Sequence, residues 1–430
     1  MKGGSIQPEL KVFPQQVLIG DPISIAVRGL SAGQNVSLNV NGKDQFGNTW
    51  FSTASFRADG AGTVDPSRDA PIEGSYKGVD QSGLFWFLTP QPVGEMISLF
   101  PIIRSFTITL SSNGQEIASQ TINRIGRIDL DREEITGEVT GVFFKPKEIT
   151  KPMPALIVLG GSEGGYNEGW AMVIASKTRL PTLALAYFGA KGLPRTLQNI
   201  PLETIESAIA WLGKQSNVVP DRFGVIGASR GGELAILVAS VFPQIKAVVG
   251  YTPSGVVWEC IGEGDTPAWT YRGEPFPYLL YMTDAESERL FQEAKEKGTP
   301  YLDAPSFLYS LKMQQDRIPA ATIKVENSKA AFLLIGNPGD GVWPSDVLSQ
   351  ISIERLKAHN HHRTFKLLSY HNGGHMLVPY PYYPTTLRQF YLPTVGVWEG
   401  LGGTPEGAAA AAADSWPKVI EFLHDELRAE

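Results

Sequence analysis

A serine with a glycine two residues to either side, Gly227-Ala228-Ser229-Arg230-Gly231, stands where the apolar run 223–226 gives way to 233–240, a stretch of good helix formers. The pattern predicts strand, tight turn and helix, with the serine in strained backbone on the turn and its hydroxyl pushed out above a sheet. The chemistry this suits is nucleophilic attack. The first N–H groups of the new helix, that of Arg230 included, would face the oxygen of whatever carbonyl the serine attacks. The same five residues also describe an ordinary strand-to-helix turn; the strand before and the helix after favour the nucleophile.

A serine nucleophile needs a base and an acid to orient the base, and on this type of turn the chain order is serine, acid, histidine. Five of the six histidines lie between positions 359 and 375, with His424 near the end. His375, in Tyr370-His371-Asn372-Gly373-Gly374-His375-Met376, is preferred to His371 because the glycine-rich turn lets its imidazole aim back over a sheet. Asp340, in Asn337-Pro338-Gly339-Asp340-Gly341-Val342-Trp343, is the acid expected to follow the preceding strand; Asp346 opens a helix, where the dipole already explains it. Backbone N–H groups of Gly161 or Ser162, in the loop Gly160-Gly161-Ser162-Glu163-Gly164-Gly165, would join that of Arg230 as an oxyanion hole. Read as a phosphate cradle, that loop lacks both GxGxxG and the P-loop lysine. The group His359, His361 and His362 has no acidic or cysteine neighbours that would make it a metal site. Neither metal nor cofactor is expected.

The elements that must position these groups follow from periodicity. Residues 10–123 carry short runs at 17–19, 23–27, 36–40, 50–56, 84–88 and 106–110, several alternating apolar and polar, with turn residues such as Asn41-Gly42 and Asn113-Gly114 between them. About seven such strands predict an antiparallel β-sandwich of Ig-like type. This half contains no histidine and reads as a packing and substrate-gating module. Charge density rises at 124–138, a boundary or an exposed edge strand. Beyond it strands at 139–144, 155–159, 182–187, 223–226, 247–251, 331–335 and 364–370 alternate with helices at 170–176, 202–211, 345–359 and a terminal one to 427. Strands alternating with helices mean a mostly parallel sheet covered on both faces, and GxSxG after an internal strand makes it an α/β-hydrolase fold. The expected domains are 1–128, the β-sandwich, and 129–430, the catalytic domain, with a lid-like insertion at about 258–325. The alanine run 408–413 is helix-favouring, with Pro417 starting or kinking the last helix.

Bulk composition removes several classes. A net charge of −7 and a pI near 5.5, without basic runs, argue against nucleic acid as a partner. The single cysteine, Cys260, excludes an internal disulfide framework and a cysteine-based zinc site, which points to a reducing, cytoplasmic setting. Met1-Lys2-Gly3-Gly4-Ser5 has no apolar h-region, although it equally suits a chain whose leader has been removed, and no apolar run reaches transmembrane length.

The second half resembles the acyl-CoA thioesterase and bile acid-CoA:amino acid N-acyltransferase family, through Ala184-Leu185-Ala186-Tyr187-Phe188 with Leu193-Pro194, Gly227 to Leu234, Trp343-Pro344-Ser345, and Gly374-His375 with Pro379-Tyr380-Pro381. The first half resembles that family's N-terminal β domain through Gly29-Leu30, Asp65, Gly74-Ser75-Tyr76-Lys77-Gly78-Val79 and Gly83-Leu84-Phe85-Trp86. The resemblance implies that Ser229, Asp340 and His375 match the family triad. Where the acyltransferase branch carries cysteine this chain has Ser229, which implies hydrolysis of acyl-CoA to free acid and CoA. The acid loop departs from the family pattern, with Asn337-Pro338-Gly339 and one extra residue compared with the family's usual acidic pair. The competing readings are a carboxylesterase or dienelactone-type hydrolase on the same scaffold, an acyl-CoA:amino acid N-acyltransferase, and a non-catalytic acyl-ligand-binding relative. Each implies a small-molecule partner.

Overall fold

The computed structural model describes residues 7–91, 100–262, 264–376, 379–393 and 395–428; the opening Met-Lys-Gly-Gly-Ser lies outside them. The chain forms two units. One comprises Met1–Gly126, Tyr380–Arg388 and Thr404–Ala413, the other Arg127–Pro379, Gln389–Gly403 and Asp414–Glu430.

In the first unit the strands Asn35–Lys43 and Thr49–Arg57 alternate strictly between buried and outward residues, as a sheet with one covered face requires. They pair with each other, and Asn35–Lys43 pairs on its other side with Ser105–Ser112, inside a seven-stranded sheet. A two-stranded sheet, Glu9–Phe13 with Ser24–Arg28, adds Val12, Ile25 and Val27 to the core of Leu38, Trp50, Phe56 and Phe106. The layers are therefore unequal. Two local expectations differ. Residues 84–88 are not a strand: Gly83–Trp86 is a helical turn, because Asp80 Oδ1 accepts from the Ser82 N–H and hydroxyl while Oδ2 accepts from the Trp86 indole, winding the chain around one carboxylate. The strand Gln115–Ile125 was not among the expected runs, since its largely exposed polar residues carry no apolar alternation; pairing with Ser105–Ser112 makes it a strand.

The second unit is built on eight strands: β1 Leu130–Ile135, β2 Thr140–Pro146, β3 Met153–Leu159, β4 Thr182–Ala186, β5 Val218–Ala228, β6 Ile245–Tyr251, β7 Ala331–Gly336 and β8 Phe365–Ser369. They lie in the order β1-β2-β4-β3-β5-β6-β7-β8, with β2 antiparallel to both neighbours and every later pair parallel. That is the α/β-hydrolase arrangement, as expected. Strands covered on both faces need apolar residues at every position, and Leu156, Ile157, Val225, Ile226, Val248, Val249, Phe332 and Leu334 are wholly buried. The charged stretch resolves into β1, where Asp131, Arg132, Glu133 and Glu134 are exposed between buried Leu130 and Ile135; charge on an edge strand discourages further pairing.

The helices of ten residues or more among the described residues are α1 Glu168–Thr178, α2 Glu203–Gly213, α3 Arg230–Val241, α4 Ala285–Lys297, α5 Ala304–Met313, α6 Ser345–Ala358 and α7 Pro405–Leu427. Between β6 and β7, where sequence periodicity is weak, α4 is delimited by local chemistry. Asp284 caps it, accepting from Ser287 N at 2.8 Å, and Gly298 ends it in the left-handed conformation. The alanine run and the terminal segment are one continuous helix, with Pro417 inside it. Among the described residues no helix is long and apolar enough to cross a membrane.

Candidate active site

The turn between β5 and α3 is closed by contacts that admit only glycine at two of its positions. A Cβ on Gly227 would stand 2.0 Å from the Gly231 carbonyl oxygen, and one on Gly231 would stand 2.1 Å from that of Gly160. Ser229, between them, adopts φ 55° and ψ −125°, a left-handed conformation that costs on the order of 1–3 kcal/mol for a residue with a side chain. Its N–H donates to the Tyr251 carbonyl at 2.9 Å, tying the turn to β6. Its carbonyl accepts from Gly232 and Glu233, while its hydroxyl makes no cap to its own helix. The Arg230 N–H, first of α3, has no intrahelical acceptor by construction of a helix start.

Asp340 and His375 meet directly. Both are buried, and the His375 Nδ1 lies 3.0 Å from Asp340 Oδ1 and 2.9 Å from Oδ2. Oδ1 also accepts the N–H groups of Val342 at 3.0 Å and Trp343 at 3.3 Å, which fixes the carboxylate plane. Ladder register explains why these residues share an edge with the serine. Ala228 is opposite Tyr251, Tyr251 opposite Ile335, and Ile335 opposite Leu368, so the loops carrying positions 229, 340 and 375 all leave the same end of the sheet. With neighbouring strands about 4.8 Å apart, β8 starts some three spacings from β5, and the loop after β8 must span that gap. No hydrogen bond joins the Ser229 hydroxyl to the His375 ring in this structure. The alternatives weighed in the sequence lie elsewhere: His371 is exposed, Asp346 accepts from the Ser369 hydroxyl at 2.5 Å, and His361 sits 2.8 Å from the Ala330 carbonyl, at the opposite end of β7.

Three features around this pair escaped sequence reasoning. The segment Leu401-Gly402-Gly403 pins both loops. The Leu401 carbonyl accepts from His375 N at 2.7 Å and from Gly341 N at 3.1 Å, and Gly402 bridges to Asp340. Asn337, wholly buried, donates from Nδ2 to the Gly374 carbonyl at 2.6 Å, holding the turn just before His375. Glu399, also buried, is a further carboxylate in the field of the pair. Burial first, then the charge of Asp303, against a lowering by His375 and with a smaller raising by Asp340, brings its pKa up to about 7. The density of glycine at 339, 341, 373, 374, 402 and 403 was the available signal, since close backbone approach needs it.

The loop 160–165 stands against the serine. A Cβ on Gly161 would lie 3.5 Å from Ser229 Cβ and 3.2 Å from the Ala228 carbonyl, whereas Ser162 is exposed. The Arg230 side chain pairs with Glu233 at 3.1 Å and donates to the carbonyls of Trp258 and Glu259. Glu233 accepts from the Trp269 indole at 2.7 Å, and burial pushes its carboxyl up to about 7 against the lowering effect of Arg230. Among the described residues no three histidine, cysteine, aspartate or glutamate side chains are grouped as metal ligands are.

A family model described as BAAT/acyl-CoA thioester hydrolase C terminal matches residues 200–429, over half of the 430 residues, and one described as the acyl-CoA thioester hydrolase/BAAT N-terminal region matches 20–136. The chain belongs to the BAAT/acyl-CoA thioester hydrolase family. Its resemblance to that family is thus borne out. Members of the BAAT/acyl-CoA thioester hydrolase family that it resembles include the mitochondrial acyl-coenzyme A thioesterase 2 of Rattus norvegicus, 28% identical over 95% of this chain and 86% of the relative. The acyl-coenzyme A thioesterase 1 of Homo sapiens is also 28% identical, over 95% of this chain and 94% of the relative. Among solved structures, a Mycobacterium tuberculosis puromycin-hydrolyzing peptidase superposes with a TM-score of 0.43 at 13% identity, covering 91% of this chain and 54% of that one.

Proposed function

We propose that this protein hydrolyses acyl-CoA thioesters to free acid and CoA through an acyl-enzyme on Ser229, with His375 as base and Asp340 as the acid that orients it. The observation that carries this reading is the buried His375–Asp340 pair, in loops that leave the sheet at the same end as the elbow serine. Relatives 28% identical over nearly the whole chain are named acyl-coenzyme A thioesterases, which supplies the substrate class.

In this mechanism the Ser229 hydroxyl, uncommitted to its own helix, rotates to His375 Nε2. His375 takes its proton as Oγ attacks the acyl carbonyl carbon. The oxyanion is held by the Arg230 N–H and by N–H groups of the loop carrying Gly161 and Ser162. The carbon–sulfur bond then breaks and the thiol leaves with the proton from His375. An ordinary thiol pKa near 8.5 makes a thiolate a far better leaving group than an amine anion, so proton transfer to the leaving group is less demanding. Water, deprotonated by His375, attacks the acyl-serine, and return of that proton to Oγ releases the acid. Asp340 stabilises the imidazolium in both steps.

The test is free-thiol release across acyl-CoA chain lengths, with Ser229→Ala as control. A loss of at least a thousandfold in the variant is expected. Retained thiol release in Ser229→Ala would remove the serine mechanism. Strong preference for p-nitrophenyl esters over every acyl-CoA would replace the thioester reading with an oxygen-ester hydrolase, and conjugates formed with added glycine or taurine would replace hydrolysis with transfer.

A further inference from the structure

We infer that the hydroxyl of Tyr187 is a positioning group for the oxyanion hole: by holding the Gly160 carbonyl it fixes which way the Gly161 N–H points. This rests on the proposed role of the 160–162 loop. Tyr187 follows β4 directly and is 1% exposed, and its hydroxyl donates to the Gly160 carbonyl at 2.6 Å, with the Gly161 carbonyl at 3.5 Å.

The Gly160 carbonyl and the Gly161 N–H belong to one planar trans peptide and point in opposite directions, so anchoring the oxygen sets the donor. That oxygen is confined from the other side too, because Gly231 of the elbow comes so near it that a Cβ there would lie at 2.1 Å. Tyr187 and the elbow thus grip one carbonyl from two elements, and the amide behind it is held at the residue whose Cβ would lie 3.5 Å from that of Ser229. The next residues complete a clamp on the same loop. Gly165 N donates to the Phe188 carbonyl at 2.8 Å, and a Cβ on Gly164, at φ 70°, would meet Phe188 at 3.0 Å and Gly189 at 3.1 Å. Glycine-rich chain is entropically costly to order, and these contacts from the end of β4 supply the ordering.

Tyr187 is itself immobilised. Its ring lies 5.2 Å from Phe188 and 5.8 Å from Trp269, whose indole donates to Glu233 of α3. Burial, with the charge of Glu163 second, holds its phenol well above the usual range, so it remains a donor wherever the enzyme is folded. Preorganised donors are effective because they need no reorientation as charge develops on the oxygen. A loosened Gly161 amide therefore lowers transition-state stabilisation without weakening binding of the ground-state thioester.

The experiment is Tyr187→Phe in the full chain, assayed by thiol release and by the affinity of a trifluoromethyl ketone thioether that mimics the tetrahedral oxyanion. The expected result is a kcat 10- to 100-fold lower with KM within about twofold, and inhibitor affinity falling by the same factor as kcat. Tyr383→Phe in the other unit, which also removes a buried tyrosine hydroxyl from a carbonyl, that of Pro101 at 3.1 Å, controls for lost stability and should leave kcat unchanged. Should Tyr187→Phe not fold, Phe188→Leu, which keeps the phenol and removes no side-chain hydrogen bond but loosens the ring packing around it, should show the same joint fall in kcat and inhibitor affinity at a few-fold. Unchanged kcat and inhibitor affinity in a folded variant, with Ser229→Ala inactive, overturns the positioning role alone; activity in Ser229→Ala overturns the reading on which it rests.

Discussion

Replacing Asp340 by asparagine swaps one atom, and the surrounding hydrogen bonds dictate which way the new amide must face. Oδ1 of Asp340 receives the N–H groups of Val342 and Trp343 at 3.0 and 3.3 Å, and both are donors that only an oxygen can satisfy. The asparagine oxygen therefore stays there, and its NH2 takes the place of Oδ2, 2.9 Å from His375 Nδ1. Nδ1 also lies 3.0 Å from Oδ1, but that oxygen already accepts two N–H groups, so the new donor at the Oδ2 position favours the tautomer in which Nδ1 accepts and the ring proton sits on Nε2. Protonated at Nε2, the imidazole cannot take a proton from Ser229. The loss expected for a wrong-tautomer histidine is about four decades in kcat, or roughly 5.4 kcal/mol at 1.36 kcal/mol per decade. Because the substitution preserves shape and both backbone hydrogen bonds, the near-ultraviolet circular dichroism and melting temperature should stay close to those of the parent. The assay is thiol release at saturating acyl-CoA, paired with the rate of Ser229 labelling by a fluorophosphonate, which depends on the same base and should fall in parallel. A loss of less than tenfold in a folded Asp340→Asn protein, with Ser229→Ala inactive, would refute the argument from donor geometry.

Two further outcomes follow from the same surroundings. Gly402→Ala places a side chain at φ 65° with its Cβ 2.3 Å from the Gly339 carbonyl, between the two loops that carry Asp340 and His375; a loss of about 1–3 kcal/mol in chemical denaturation, with a larger proportional loss of kcat, is expected, and parent-like values for both would show that the staple is dispensable. Glu399→Gln should alter the pH dependence of stability: with the folded carboxyl raised from 4.5 to about 7, the folded state binds a proton that the unfolded chain has released, so the parent loses stability as pH rises through that window. The variant lacks this slope and should gain up to about 3 kcal/mol on the parent between pH 4 and pH 8, from 1.36 kcal/mol per pKa unit; equal slopes in urea titrations across that range would count against it.

The Gly-x-Ser-x-Gly elbow was legible in the sequence because its constraints are local. The contact between Gly227 and Gly231 and the left-handed backbone of Ser229 are settled within a few residues, so residue type at fixed spacing reports them. The alternation of strands with helices was legible for a similar reason, since burial on both faces of the sheet writes continuous apolar runs at β3, β5, β6 and β7. Local patterns failed where a distant partner or a single side chain decided. Gln115–Ile125 has no apolar alternation and is a strand through its neighbour, and Gly83–Trp86 winds into a helical turn around the Asp80 carboxylate despite strand-like composition.

Around the site the division is sharper. The sequence by itself supplied a hydroxyl, a carboxylate and an imidazole in a chemically sensible order. Only the tertiary structure set Asp340 against His375 Nδ1, buried that histidine while leaving His371 exposed, threaded Leu401-Gly402-Gly403 between their loops, and brought Glu399 into their field. The physical reason is range. A turn is selected by the φ/ψ preferences and steric reach of adjacent residues, whereas the pairing of groups tens of residues apart is selected by sheet register and by what a buried polar atom can find as a partner, neither of which leaves a periodic trace in the chain.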